Sequence, residues 1–267
     1  MRRTSRPAVT AALAAASTVV LLAGCGSDST AGSGGSSSSS AAGPTGTITV
    51  LAAASLTEAF TTLGKQFEAA HPGTKVVFSF GPSSGLAAQI TQGAPADVFA
   101  SASQKNMDQV TSARAASSPT VFVRNTMEIA VPPSNPAHIS SVADLAKPGV
   151  KVALCQAQVP CGSVAATVFG QAKVKVKPVT LEADVKSVLS KVTLGEVDAG
   201  VVYVTDVRAA GDKVKGIEIP ADVNAATSYP IAGLTKAPNA GGAKAFVDYV
   251  LSAAGASVLT QDGFLAP

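Results

Sequence analysis

The chain is 267 residues long, 46% hydrophobic and free of tryptophan, with 20 Lys+Arg against 17 Asp+Glu. Its basicity is concentrated at the N-terminus: Arg2, Arg3 and Arg6, with Asp28 alone among the acids, precede residue 46, which leaves 17 basic against 16 acidic residues beyond it. A near-neutral body of about 220 residues, without a basic patch or basic–aromatic interleaving, excludes nucleic acid as a partner and suits one large domain or two lobes of about 100 residues.

Residues 1–24 read as a secretory signal. Arg2, Arg3 and Arg6 form a basic n-region, and Ala8 to Leu22 is an apolar stretch too short to span a bilayer. The stretch ends in Leu22-Ala-Gly-Cys25. That pattern resembles the bacterial lipobox, at which cleavage leaves Cys25 as a lipidated first residue; the alternative is an ordinary signal with an incidental cysteine. Residues 25–46 are rich in Ser and Gly and too poor in apolar side chains to fold. They read as a tether with a reach of roughly 25 Å, anchored by more than one acyl chain, since a single chain holds weakly.

Beyond the tether, strand-like and helix-like runs alternate. Thr47–Ala53 is a β run, followed by Leu56, Phe60, Leu63 and Phe67 at helical spacing until His71-Pro72-Gly73 stops the helix. Strands are predicted at 75–80, 97–100, 120–131, 150–154, 199–204, 217–219 and 229–234. Helices are predicted at 84–92, 104–110, 161–171, 182–192, 206–210 and 242–259. The βαβα order implies a parallel or mostly parallel sheet covered by helices, with ligands at the carboxyl ends of strands. Lys173, Lys175 and Lys177 read as a solvated strand face, Asp97 as a structural residue of a hinge region, and Tyr229 and Tyr249 as packing residues. Cys155 and Cys161 are close in sequence within an exported chain, where disulfides persist. A metal pair or two free thiols are the alternatives.

Two serines stand where a strand breaks into a helix. Ser55-Leu-Thr-Glu58 has the form of a capping box, in which Ser55 accepts from the backbone N–H of Glu58. A helix N-terminus of this kind is also a ready anion site, and a capping hydroxyl can still donate its own proton to a bound anion. Gly81-Pro-Ser83-Ser-Gly85 matches the nucleophile elbow of α/β-hydrolases. That chemistry needs a histidine base, and the chain has only His71 and His138.

Three blocks then carry a specific resemblance: Ala52-Ala-Ala-Ser-Leu-Thr57, Gly81-Pro-Ser-Ser-Gly-Leu86 and Gly93-Ala-Pro-Ala-Asp-Val-Phe-Ala-Ser-Ala102. With Val159-Pro-Cys-Gly162, Ala183-Asp-Val185, Gly200-Val-Val-Tyr-Val-Thr-Asp206 and Gln261-Asp-Gly-Phe264, they make the chain similar to the molybdate-binding proteins of ABC importers (the ModA family) over Thr47–Pro267. The resemblance implies an α/β periplasmic-binding-protein type II fold, with two α/β lobes, a hinge and an interlobe ligand cleft. Lobe 1 would combine residues 46–125 and 228–267, and lobe 2 residues 126–227. It implies a monomer that is not an enzyme, carries no cofactor, binds molybdate or tungstate and docks on ABC permease membrane subunits. By motif, Ser55 and Ser83 give hydroxyls, Tyr203 a third, and Cys161 and Val185 main-chain N–H groups. Cys161 stands where a small alanine-like residue is expected, a change that a backbone donor tolerates.

The chemistry is coherent on its own terms. A fully ionised tetrahedral dianion is all acceptor and suits a cage of neutral donors, helped by helix N-termini. Phosphate keeps a proton near neutrality and would leave it unpaired in such a cage. Sulfate offers the same acceptor pattern at smaller size and is the alternative ligand.

Overall fold

The computed structural model describes residues 43–267. The signal, Cys25 and the tether as far as residue 42 lie outside the described residues.

The first half builds β1 (Gly46–Ala53), α1 (Thr57–Ala70), β2 (Thr74–Gly81), α2 (Ser83–Thr91), β3 (Val98–Ala100) and α3 (Gln104–Ser112). β1 pairs in parallel with both β2 and β3. A strand covered on both faces must be apolar along its length, and β1 is buried almost continuously from Ile48. Phe60 and Phe67 of α1 meet Phe246 edge to face beneath this sheet.

β4 (Thr120–Val131) leads into β5 (Val152–Cys155), α4 (Pro160–Ala172), β6 (Thr180–Glu182), α5 (Val185–Thr193), β7 (Ala199–Tyr203), α6 (Val204–Ala210) and β8 (Lys215–Glu218). β9 (Ala226–Gly233), α7 (Ala240–Leu251) and α8 (Ala253–Gln261) complete the chain. The strand order is β2-β1-β3-β9-β4-β7-β5-β6, with β8 also on β4. One apolar core holds Ile48, Phe60, Ile231, Phe246 and Phe264, and a smaller cluster beneath α2 and α3 adds Leu51, Leu86 and Phe99. Another core holds Met127, Ile129, Val152, Val188 and Val201.

β4 joins the two cores. Thr120–Thr126 pair with β9, and Met127–Val131 with β7 and β8. All these pairings are antiparallel, as is β3 on β9. The sheet is therefore mixed, which corrects the expectation of a mostly parallel one. Parallel order holds within β2-β1-β3 and within β7-β5-β6, while the strands passing between the cores run the other way.

Other expectations shift locally. The last helical run is two helices, broken at Ser252, whose hydroxyl accepts from Gly255 N–H at 3.3 Å and caps α8. Glu182 ends a short strand rather than starting a helix. Lys173, Lys175 and Lys177 are exposed and alternate with half-buried Val174 and Val176, but the segment pairs with no strand. Asp97 is structural: its carboxylate accepts from Thr49 N–H at 2.7 Å and Asn239 N–H at 2.6 Å, fastening β1 to the start of α7.

Candidate functional site

The carboxyl ends of β1, β2 and β7 converge with the N-termini of α2, α4 and α5 on one small cavity. Ser55, Ser83, Cys161, Val185 and Tyr203 all line it, together with Pro82, Ala102, Pro160 and Asp184. Cys161, Val185 and Tyr203 belong to the second core, and the two serines are hydrogen-bonded to Tyr229 and Ala102 of the first. The space measures about 20 Å³, where a single water needs about 10–15 Å³. That is room for a compact ion.

Each position has a local cause. Ser83 is the first residue of α2, after Pro82, and its Oγ accepts from Ala102 N–H at 2.9 Å. With that acceptor role filled, the Ser83 proton is free to point into the cavity. Pro160 opens α4, a position that suits proline, so the N–H of Cys161 is among the donors a helix start leaves unused. Val185 opens α5 beside its cap Asp184, whose carboxylate accepts from Ser187 N–H at 2.9 Å. Asp184 was not expected at the cavity from the sequence.

Cys155 and Cys161 form a disulfide, which excludes the free-thiol and metal-pair alternatives. The same turn explains Gly162. A Cβ there would lie 2.0 Å from the backbone oxygen of Gln156, so the start of α4 can seat on the turn only with glycine at this point.

Tyr203 ends β7 and is almost wholly buried, and among the described residues its hydroxyl makes no well-formed hydrogen bond. Burial is the main reason its phenol is held well above the ordinary tyrosine range, with Tyr229 and Asp206 adding to the shift. The group is therefore a protonated donor, in a place where an unmade bond is costly.

The capping box does not form. A single 3-10 turn, Ala54–Leu56, intervenes between β1 and α1 and moves the helix start to Thr57. Ser55 turns its Oγ to the Tyr229 hydroxyl at 2.8 Å, and Glu58 pairs with Lys186 at 2.7 Å. Lys186 also meets the buried Asp206 at 3.0 Å, and Asp206 in turn accepts from Tyr203 N–H at 3.1 Å. Burial depresses Lys186, but Asp206 and Glu58 outweigh it and leave the amine raised. Burial pushes the Asp206 carboxyl up against the pull of Lys186. Asp206 thus supports the start of its own helix, and the ion pairs link α1 to α5 and α6.

Tyr229 is the residue that sequence reasoning missed. It is fully buried on β9, in contact with Ser55 and edge to face with Tyr203 at 6.2 Å between ring centres. The signal in the sequence was slight, one of three tyrosines, set in an apolar strand. Neither His71 nor His138 lines the cavity. His71 stacks on Phe67, so Ser83 lacks the base that a nucleophile elbow requires.

Residues 48–265 match the family of bacterial extracellular solute-binding proteins. The molybdate-binding protein ModA of Mycobacterium tuberculosis is 45% identical over 230 residues, covering 85% of this chain and 88% of that protein. The chain belongs to the ModA family. Another relative is a putative ABC transporter substrate-binding lipoprotein of Bacillus subtilis, 32% identical over 228 residues, covering 82% of this chain and 86% of that one. In structure, the periplasmic molybdate-binding protein of Azotobacter vinelandii superposes with a TM-score of 0.74 over 82% of this chain and 99% of that one, at 20% identity, a likeness of fold. The ModA-family fold is the type II two-lobe form, and the described cavity lies between the two cores.

Proposed function

We propose that this ModA-family protein binds molybdate, and tungstate with it, in the cavity formed by Ser55, Ser83, Cys161, Val185 and Tyr203, and delivers it to an ABC permease. The observation that carries the reading is the Tyr203 hydroxyl, buried at a small cavity and without a well-formed hydrogen bond among the described residues. Three hydroxyls and two helix-start N–H groups make a neutral donor cage. Charge-assisted bonds from such donors to a dianion are about twice as strong as neutral ones. The name of the 45% identical relative favours molybdate over sulfate.

The lobes in this reading are 46–125 with 228–267, and 126–227. Ligand favours the closed form because only that form assembles donors from both lobes. The protein acts as a monomer, anchored outside the cell membrane through lipidated Cys25, a reading that the lipoprotein relative supports. Binding leaves the anion chemically unchanged, since Ser83 has no base beside it.

Titration calorimetry of the ligand-stripped chain from residue 43 onward tests the proposal. Molybdate and tungstate should bind with a stoichiometry near one, and sulfate far more weakly. A folded sample that gives no heat with molybdate overturns it, and equal or tighter binding of sulfate transfers the site to that anion.

A further inference from the structure

One ammonium group stands behind three of the five donor positions of the cavity. Lys186 follows Val185 at the start of α5, and it pairs with Glu58 at 2.7 Å and with Asp206 at 3.0 Å. Glu58 lies three residues beyond Ser55, in the first turn of α1. Asp206 accepts from the N–H of Tyr203 at 3.1 Å. Lys186, Glu58 and Asp206 themselves stay out of the cavity wall.

The two ion pairs differ in where they run. Lys186 and Asp206 sit on α5 and α6, whose Val185, Val188 and Val207 pack in the second core. Glu58 sits on α1, whose Phe60 and Phe67 belong to the first. The Glu58–Lys186 bond thus crosses from one core to the other, whereas Lys186–Asp206 stays with one. The pairs differ also in what breaking them costs. Asp206 is fully buried and Glu58 about half exposed. A buried carboxylate stripped of its counter-charge is strongly destabilised, so the ammonium stays with Asp206. Glu58 can release it into water at little cost. Parting of the lobes therefore breaks the contact at Glu58 and leaves Lys186 held for the return.

We infer that Lys186 is a positioning residue for anion binding: anchored on Asp206, it clasps Glu58 across the cleft and holds the Ser55 turn against the donor ends of α5 and β7. This role deepens the anion reading and rests on it, through the closure that brings donors of both lobes together. The clasp touches no ligand and stabilises the closed form alone. It also opposes simple electrostatics. Glu58 is a negative charge one helical turn from a donor to a dianion, and by charge alone it disfavours binding. A neutral group in its place should tighten molybdate if charge is all that matters, and loosen it if the clasp matters. The expected signs are opposite.

The test is E58Q, titrated with molybdate by calorimetry and followed by stopped-flow tyrosine fluorescence, which no tryptophan obscures. Molybdate affinity should fall roughly two- to fivefold, the range of a partly exposed ion pair, and the loss should be read as faster dissociation. Added salt should speed dissociation from the parent and narrow its gap to E58Q, because salt screens an exposed pair. Affinity that is unchanged or tighter in E58Q overturns the inference, as does a loss confined to the association rate. In a K186M/D206N background, which removes both charges of the buried pair together, E58Q should no longer weaken binding. A loss there as large as in the parent overturns the clasp. E58D keeps the charge and shortens its reach, which covers the case in which that background does not fold. It should weaken binding as E58Q does, and parental affinity counts against the clasp. If the unmodified chain fails to bind molybdate, the anion reading falls and this inference with it. Binding by the unmodified chain, with E58Q as tight or tighter, defeats the inference alone.

Discussion

Tyr203→Phe should move stability and affinity in opposite directions. The Tyr203 hydroxyl is buried and makes no well-formed hydrogen bond to another protein group among the described residues. A buried, unsatisfied polar group costs about 1–3 kcal/mol. Its removal should therefore leave the empty protein as stable as before or more stable, by up to about that amount. The ring stays, and with it the contact to Tyr229 at 6.2 Å. With molybdate bound, the same hydroxyl would make a charge-assisted bond, worth about 1.5–3 kcal/mol. Its loss should weaken binding roughly 10- to 150-fold. Urea unfolding without ligand gives the first quantity, since a shift in midpoint at constant slope reports stability, and calorimetry gives the second. Because ligand stabilises the native state through mass action, the two unfolding curves should change order once molybdate is added in large excess. A variant that is less stable when empty and binds as tightly as the parent would refute the reasoning. It would show that the hydroxyl serves the fold and not the ligand.

Cleaving the Cys155–Cys161 bridge, which spans six positions, should cost about 2 kcal/mol on the chain-entropy model, read as a lower urea midpoint under reductant. It should also weaken molybdate binding by freeing the Cys161 N–H from its fixed direction. Gly162→Ala should destabilise by about 2–3 kcal/mol, since the new methyl meets a backbone oxygen that cannot swing aside; thermal unfolding reads this. Glu128 is raised above the ordinary glutamate range, first by burial and then by Glu218 across the β4–β8 pair, with Arg208 opposing. Its native form therefore holds a proton more tightly than the unfolded chain, and stability falls as pH rises from about 4.3 through the raised native value. Glu128→Gln should be more stable than the parent at pH 7 and indistinguishable from it near pH 3, by urea midpoints at the two pH values.

The fold was legible where local period and local punctuation agree. Thr120–Val131 could be read to the residue from its β-rich run and the prolines after it. Ser83 was legible because a strand, a Gly-Pro pair and a helical run stand in sequence around it. The direction of the strands between the cores was not, since pairing direction depends on which distant segment returns alongside, and no periodicity encodes that. Ser55 shows the same limit within a single site. Its sequence fits a capping box, but the competing partners, Tyr229 for the serine and Lys186 for Glu58, lie 174 and 128 residues away. The disulfide was accessible because its cysteines are neighbours in the chain. The Ser55–Tyr229 contact was not, because Tyr229 alone resembles ordinary strand content.

One core draws on both ends of the chain: Ile48 and Phe60 come from its beginning, Ile231, Phe246 and Phe264 from its end. β3 finds its second neighbour only when β9 arrives, and β4 likewise waits for β9 along its first half. A polypeptide that crosses a membrane with its N-terminus leading would thus keep its earliest segments without a finished sheet to settle into until nearly the last residue had passed. For an extracellular protein, that arrangement ties the completion of folding to the completion of export.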